Sequence, residues 1–199
     1  MTAIQRWKEM IQAEHAQSDR MRDLILPPED HWTPYAQQFK GDPRRTDDLL
    51  VDYFQDPVDA EQVVIDVGAG GGRLALPLAL VCSRVVAVDP SPSMCKVLRE
   101  ASYEFGVDNV EVVESEWMEA EVEQADITLC SHVLYAIQEI EPFVRKLENK
   151  ASKLYAVIDE SSFYSNPVEK VSRSWMNVPF VLANADMDKE FLAGAEDAG

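Results

Sequence analysis

The residues best suited to chemistry lie in one run, Val63-Val64-Ile65-Asp66-Val67-Gly68-Ala69-Gly70-Gly71-Gly72-Arg73, an apolar strand leading through glycines into a helix. Glycines permit a tight turn and let a ligand approach backbone N–H groups at a helix N-terminus, where negative charge is favoured. The run is therefore expected to offer bare N–H groups to an anionic or carboxylate-bearing cofactor. Asp89 follows Gly70 by 19 residues (89 − 70), at the end of a second apolar run. A carboxylate there can accept hydrogen bonds from both hydroxyls of a ribose, so the ligand should contain a nucleoside. Two cofactor classes fit. Gly70-x-Gly72-x-x-Ala75 is a variant of the dinucleotide fingerprint. Asp66, however, stands where a dinucleotide fold has an apolar residue beneath a doubly charged pyrophosphate. An acid suits a cationic group better, such as the amino group of a methionine moiety.

These residues need strands and helices to hold them. Short apolar runs rich in β-branched residues recur at Val63 to Val67, Val85 to Val88, Val110 to Val113, Ile127 to Cys130 and Leu154 to Ile158. Each has the length of a buried strand. Arg73 to Val81, Ser93 to Phe105 and Pro142 to Asn149 carry helical periodicity, with Gly106 as a C-terminal cap and Pro142 in a first turn. Pro77 should kink the first of these helices. Five strands alternating with helices imply an α/β fold, a doubly wound, mostly parallel sheet with helices on both faces. The ligand then lies over the carboxyl ends of the strands, near the reversal in strand order.

The N-terminal 58 residues read as a helical cap or substrate region, and residues 59–199 as the core. Ile4, Trp7, Met10, Ile11, Met21, Leu24 and Ile25 suit one or two weak amphipathic helices that end at Pro27-Pro28. From Glu29 to Arg45 the chain is rich in Pro, Gly and rings (His31, Trp32, Tyr35, Phe39), as a cap over a pocket would be. Thr46, Asp47 and Asp48 look like a helix start, and Asp56-Pro57 a stop. After Glu160 the pattern weakens: a helix over Pro167 to Met176, a strand over Val178 to Leu182, and a loose tail from Ala193.

Composition narrows the partners. The 199 residues are 46% hydrophobic, enough for one sizeable core, and carry a formal net charge of −18. That charge opposes long contacts with nucleic-acid phosphates or anionic membranes, and favours a small molecule or a basic protein. Cys82, Cys95 and Cys130 sit apart in apolar stretches without metal-ligand spacing, which predicts reduced core thiols in a cytoplasmic protein and no metal site. Neither a signal peptide nor a membrane-spanning run is evident.

The stretch from Val63 to Glu160 resembles the class I S-adenosylmethionine-dependent methyltransferases, whose core is Rossmann-like. Four pieces carry the resemblance in family order: Ile65 to Gly72; Val86-Ala87-Val88-Asp89-Pro90-Ser91-Pro92-Ser93-Met94; Val112-Val113-Glu114-Ser115-Glu116-Trp117; and Ala125-Asp126-Ile127-Thr128-Leu129-Cys130-Ser131-His132-Val133-Leu134-Tyr135. The resemblance implies a pocket in which Gly68, Gly70 and Gly72 meet the methionine part of S-adenosylmethionine, with Asp66 near its amino group. It implies that Asp89 holds the ribose, that Pro90 and Trp117 flank the adenine, and that Glu116, in place of the commoner Asp, accepts from the exocyclic amine. Ser131 and His132 would face the sulfonium and the acceptor, with His132 the candidate general base. The family adds two strands, an antiparallel hairpin, after the fifth; only one candidate, Val178 to Leu182, follows here, so part of that hairpin is expected to be missing.

The expected function is methyl transfer from S-adenosylmethionine to a small-molecule acceptor. Neither Asn/Asp-Pro-Pro-Tyr/Phe nor Pro-Cys occurs after the fourth strand, where Cys130 follows Leu129, which argues against nucleic-acid substrates; a basic protein substrate stays open. The alternatives are an NAD(P)-dependent oxidoreductase and a non-catalytic module that binds S-adenosylmethionine or S-adenosylhomocysteine.

Overall fold

A computed structural model describes residues 2–22, 30–158 and 180–183. Its centre is a six-stranded sheet in the order β3-β2-β1-β4-β5-β6, formed by β1 (Val63–Val67), β2 (Arg84–Asp89), β3 (Val110–Glu114), β4 (Ala125–Ser131), β5 (Ala151–Ile158) and β6 (Phe180–Ala183). The first five pair in parallel, and β6 adds to β5 antiparallel. The chain moves outward from β1 to β3, then returns to β1's other side with β4. That reversal sets the carboxyl ends of β1 and β4 side by side, with Val67 opposite Cys130.

β1 reads Val-Val-Ile-Asp-Val because both its faces are covered. Val64 packs with α2 (Leu49–Gln55), α3 (Ala75–Ala79) and α4 (Pro92–Phe105), whereas Ile65 and Val67 pack with α5 (Ile140–Lys150). The doubly wound architecture expected from the strand runs is the one observed. α4 starts one residue before the expected Ser93, with Ser91 capping it by accepting from the Met94 N–H at 3.1 Å, and ends as expected at Gly106, which takes a left-handed φ of 66°. α3 is shorter than the periodicity suggested. It starts at Ala75, so Pro77 falls in its first turn, where the missing N–H costs little and no kink is required.

Described residues of the N-terminal region pack into the core of the sheet. α1 (Ala3–Arg22) is one helix over its described length, docked against α5, with the Trp7 indole N–H donating to the Ile137 carbonyl at 2.8 Å. Leu50, Val51 and Phe54 of α2 belong to the same cluster as Val64 and Leu129. Asp48 is the helix cap, accepting from the Leu50 N–H at 3.2 Å. The strand expected over Val178 to Leu182 is β6. Leu24, Ile25, Pro27-Pro28, the helix over Pro167 to Met176 and the tail lie outside the described residues. No described helix is long and apolar enough to cross a membrane.

Candidate functional site

The carboxyl ends of β1, β2 and β4 converge on the glycine turn. Gly68, Gly70 and Gly72 take φ values of 76°, 54° and 91°, which L side chains rarely adopt. Their surroundings separate their roles. A Cβ on Gly72 would collide with Leu98, and one on Gly68 with Val133, whereas one on Gly70 would meet nothing nearer than the Met94 sulfur at 4.0 Å. Gly72 therefore serves helix packing, and Gly70 leaves the open approach that a ligand needs.

The expectation of bare N–H groups is corrected. Gly68 and Ala69 both donate to the Val88 carbonyl, at 2.8 and 3.2 Å, and Gly72 donates to Ala69 at 3.0 Å. Gly70 donates to Asp89 Oδ2 at 2.8 Å, and the other carboxylate oxygen accepts from the Ser91 N–H at 2.9 Å. These donors close the turn on β2 and do not wait for an anion. Asp89 is thereby fixed at the end of β2, 7% exposed, with lone pairs left on both oxygens.

The site is acidic. Burial, the Asp89 charge nearby and one opposing backbone N–H, from Ala75, leave the Asp66 carboxyl, 2% exposed, at a pKa of about 7. Burial also pushes Asp89 up, against the Ser91 and Gly70 N–H groups, and the charges of Asp30 and Glu116 add to the rise. A cationic ligand group relieves this accumulation, and a pyrophosphate worsens it. On charge and geometry the residues fit S-adenosylmethionine, and they fit a dinucleotide poorly.

At the end of β4, Ser131 Oγ is buried without a hydrogen-bond partner, on a strand end that faces the reversal in strand order. His132 follows with φ of 59°, the one positive value at a non-glycine among the described residues. A histidine held there costs about 1–3 kcal/mol, a strain found where geometry serves function. Its backbone N–H donates to the Val157 carbonyl at 3.0 Å, which anchors the turn on β5.

Pro90 and Glu116 are exposed beside Asp89, where an adenine edge can reach them. Trp117 is placed differently from the expectation. It is 3% exposed and packs with Ile65, Phe143 and Leu147 in the core under α5. The Lys146 ammonium lies 4.8 Å from its ring centre and donates to the carbonyls of Trp117, Met118 and Ala120. A ring clamped in this way supports the turn that bears Glu116 and does not stack on an open ligand face. Apolar neighbours on both sides of a tryptophan cannot be read from one chain position, which is why the sequence pointed to the pocket.

Sequence reasoning read Glu29 to Arg45 as a cap and Asp48 as part of a helix start, and missed that this segment is tied to the glycine turn. Its rings form an exposed edge-to-face group, with Trp32 5.3 Å from His31 and 5.4 Å from Phe39. Its backbone lies on the glycine turn, and Asp48 pairs with Arg73 through two bonds of 2.7 and 3.0 Å. Burial opposes ionisation of Asp48, yet that guanidinium holds it below the usual carboxylate range. The signal available was Arg73 itself, a cation directly after the glycines. The three cysteines are buried free thiols; burial pushes Cys95 up to about 11 and Cys130 higher, so neither is a nucleophile.

Comparison with known proteins separates two kinds of similarity. Residues 65–152 match a family model described as a methyltransferase domain. The fold matches magnesium protoporphyrin IX methyltransferase from Synechocystis PCC 6803 with TM-score 0.52 and 18% identity, over 78% of this chain and 76% of that one. It also matches coclaurine N-methyltransferase with TM-score 0.51 and 21% identity, over 78% and 58%. The curated relatives bear another name. A phosphoserine aminotransferase of Pseudomonas entomophila is 31% identical over 176 residues, which cover 84% of this chain and 44% of that protein. Others of that name are 48–58% identical over 50–60 residues. The chain spans less than half the length of these relatives. The matched methyltransferase-domain region holds the ends of β1, β2 and β4 and the glycine turn between them, and the fold around it is the one these methyltransferases share.

Proposed function

We propose that the protein binds S-adenosylmethionine over the carboxyl ends of β1, β2 and β4 and directs its methyl group to a small-molecule acceptor. When bound, this cofactor supplies an electrophilic methyl on a positive sulfonium, and catalysis is chiefly the alignment of a nucleophile with the C–S bond. Asp89, held by the Gly70 and Ser91 N–H groups, is the acceptor for the two ribose hydroxyls. Asp66 lies beneath the turn and takes the amino group of the methionine part, directly or through water. Gly70 gives that part room, and Gly68 lets the turn pass close to Val133. Gly72 contributes the turn's shape through packing, not contact. Pro90 and Glu116 border the adenine, and Trp117 steadies their side of the pocket from below. Ser131 and His132 face the acceptor; for a hydroxyl nucleophile the imidazole accepts the proton.

The observation that carries the reading is the hydrogen bond between Gly70 N–H and Asp89 within an otherwise acidic site. It joins the two loops that a nucleoside must bridge and leaves no welcome for a pyrophosphate, which disfavours the oxidoreductase alternative. The strain at His132 favours an enzyme over a passive binding module. A small acceptor suits the net charge of −18, and the two methyltransferases of similar fold are named for small molecules. The buried free thiols suit a cytoplasmic protein. The aminotransferase matches cover 14–44% of those proteins, too small a share to carry that activity across.

The test is formation of S-adenosylhomocysteine when the chain is given S-adenosylmethionine and pools of small hydroxyl, amine and thiol compounds. Turnover that depends on a pool supports the reading. Tight binding of both cofactor forms with no turnover on any pool would favour the binding module.

A further inference from the structure

The segment that precedes the sheet reaches the ribose site through Asp30. Its carboxylate accepts from the Ser91 hydroxyl at 2.9 and 3.0 Å, from the Ser93 N–H at 2.8 Å and from the Trp32 N–H at 3.0 Å. Partial burial pushes this carboxyl up, yet those bonds from Ser93, Trp32 and Ser91 pull it down to about 2, so it is ionised at every working pH. Ser91 in turn does three things. Its hydroxyl donates to Asp30, the same oxygen accepts from the Met94 N–H at 3.1 Å, and its own N–H donates to Asp89 at 2.9 Å. A hydroxyl rotor is free until a strong acceptor fixes it. With the Ser91 hydroxyl donating to Asp30, the lone pairs of Ser91 turn to the first turn of α4, and the loop that orients Asp89 is fixed.

The far end of the same segment is equally committed. Gly41 N–H donates to the Gly71 carbonyl at 2.9 Å, and a Cβ on Gly41 would collide with the Gly72 carbonyl, one on Gly71 with the Phe39 carbonyl. Ala36 packs on Met94 and Val97 between these points. Residues 30–48 thus form a strap fastened at one end to the ribose loop and at the other to the glycine turn. Asp30 adds a negative charge near Asp89, an electrostatic cost that a merely decorative residue would not justify.

Resting on the cofactor reading above, we infer that Asp30 is a positioning residue for the ribose: acting through Ser91, it holds Asp89 in the geometry that takes the two hydroxyls. The chain's N-terminal strap is then part of the cofactor site and not a cover over the acceptor.

The test is a cycle between protein and ligand. Affinities of the full chain for S-adenosylhomocysteine and for its 2′-deoxyribose analogue are measured by calorimetry for the wild type, Asp30→Ala and Asp30→Asn. The wild type should favour the ribose form by about tenfold or more, the worth of a charge-assisted hydrogen bond. Asp30→Ala should weaken the ribose form by about tenfold and the deoxy form by less than about twofold, collapsing the preference. Asp30→Asn, which keeps the shape and one acceptor, should retain part of it. In ligand-free protein, the amides of Ser91 and Ser93 should exchange faster in Asp30→Ala than in the wild type. An undiminished preference, or equal weakening of both ligands, overturns the inference while leaving the cofactor reading intact. A wild type that binds neither ligand overturns both. Should Asp30→Ala not fold, Ser91→Ala breaks the same link and must give the same collapse; a preserved preference there is also fatal.

Discussion

Asp66→Asn isolates the charge that the site stores. In the wild type, burial raises the Asp66 carboxyl from 3.8 to about 7, with the nearby Asp89 charge adding to the rise. At 1.36 kcal/mol for each tenfold in acidity this amounts to about 4 kcal/mol. Between pH 3.8 and about 7 the folded protein holds a proton that the unfolded chain has lost, so stability falls as pH rises through this window and levels off above it. Asparagine has no such proton. The advantage of the variant over the wild type should therefore be larger at pH 8 than at pH 5, by about 2–3 kcal/mol. Comparing the two proteins at each pH cancels the opposite contribution of Asp30, whose stabilising ionisation is lost only as pH falls toward about 2. Denaturant unfolding at both pH values measures the difference. Binding should follow the same proton: an ammonium group requires Asp66 ionised, so wild-type affinity for S-adenosylhomocysteine rises toward pH 7 and then flattens, and the variant loses this dependence. A stability difference independent of pH between 5 and 8 would refute the reasoning, because Asp66 would then ionise as freely as on a surface.

Asp89→Ala should weaken S-adenosylhomocysteine at least tenfold, about 1.4 kcal/mol by calorimetry, while the folded state survives the loss of the Gly70 and Ser91 bonds. Unchanged affinity in a folded variant would remove the ribose role. His132→Gly relieves a left-handed strain of about 1 kcal/mol and adds comparable freedom to the unfolded chain, so its melting midpoint should move little while turnover on a hydroxyl acceptor falls about a hundredfold; retained turnover would end the general-base role. Gly41→Ala places a Cβ on the Gly72 carbonyl and should cost about 2 kcal/mol or more in chemical unfolding. A neutral effect would mean that the strap is not fastened to the glycine turn.

The parallel sheet was legible because strands buried on both faces leave runs such as Val63 to Val67 and Val85 to Val88 that no exposed element would carry. α4 was legible at its C-terminal end through Gly106, whose left-handed φ does local work, whereas its cap Ser91 was not read as one. Asp66 and Asp89 could be named because their place in the strand-turn pattern fixes where they stand. What escaped was set by partners distant in sequence. Trp117 reads as a pocket ring until α5 is seen to cover it, and the glycine N–H groups read as free until Val88 and Asp89 take them. Gly68, Gly70 and Gly72 look alike in the chain, yet Val133, open space and Leu98 give them three different roles. Asp30 lies 61 residues before Ser91 in a stretch without periodicity, so no local pattern could place it at the ribose loop.

The most direct test of the account is a calorimetric titration of the full chain with S-adenosylhomocysteine, and of a second sample with NAD. A single micromolar site for the first and no heat from the second is the result the acidic nucleoside site predicts. Binding of NAD, or silence toward S-adenosylhomocysteine, would contradict it.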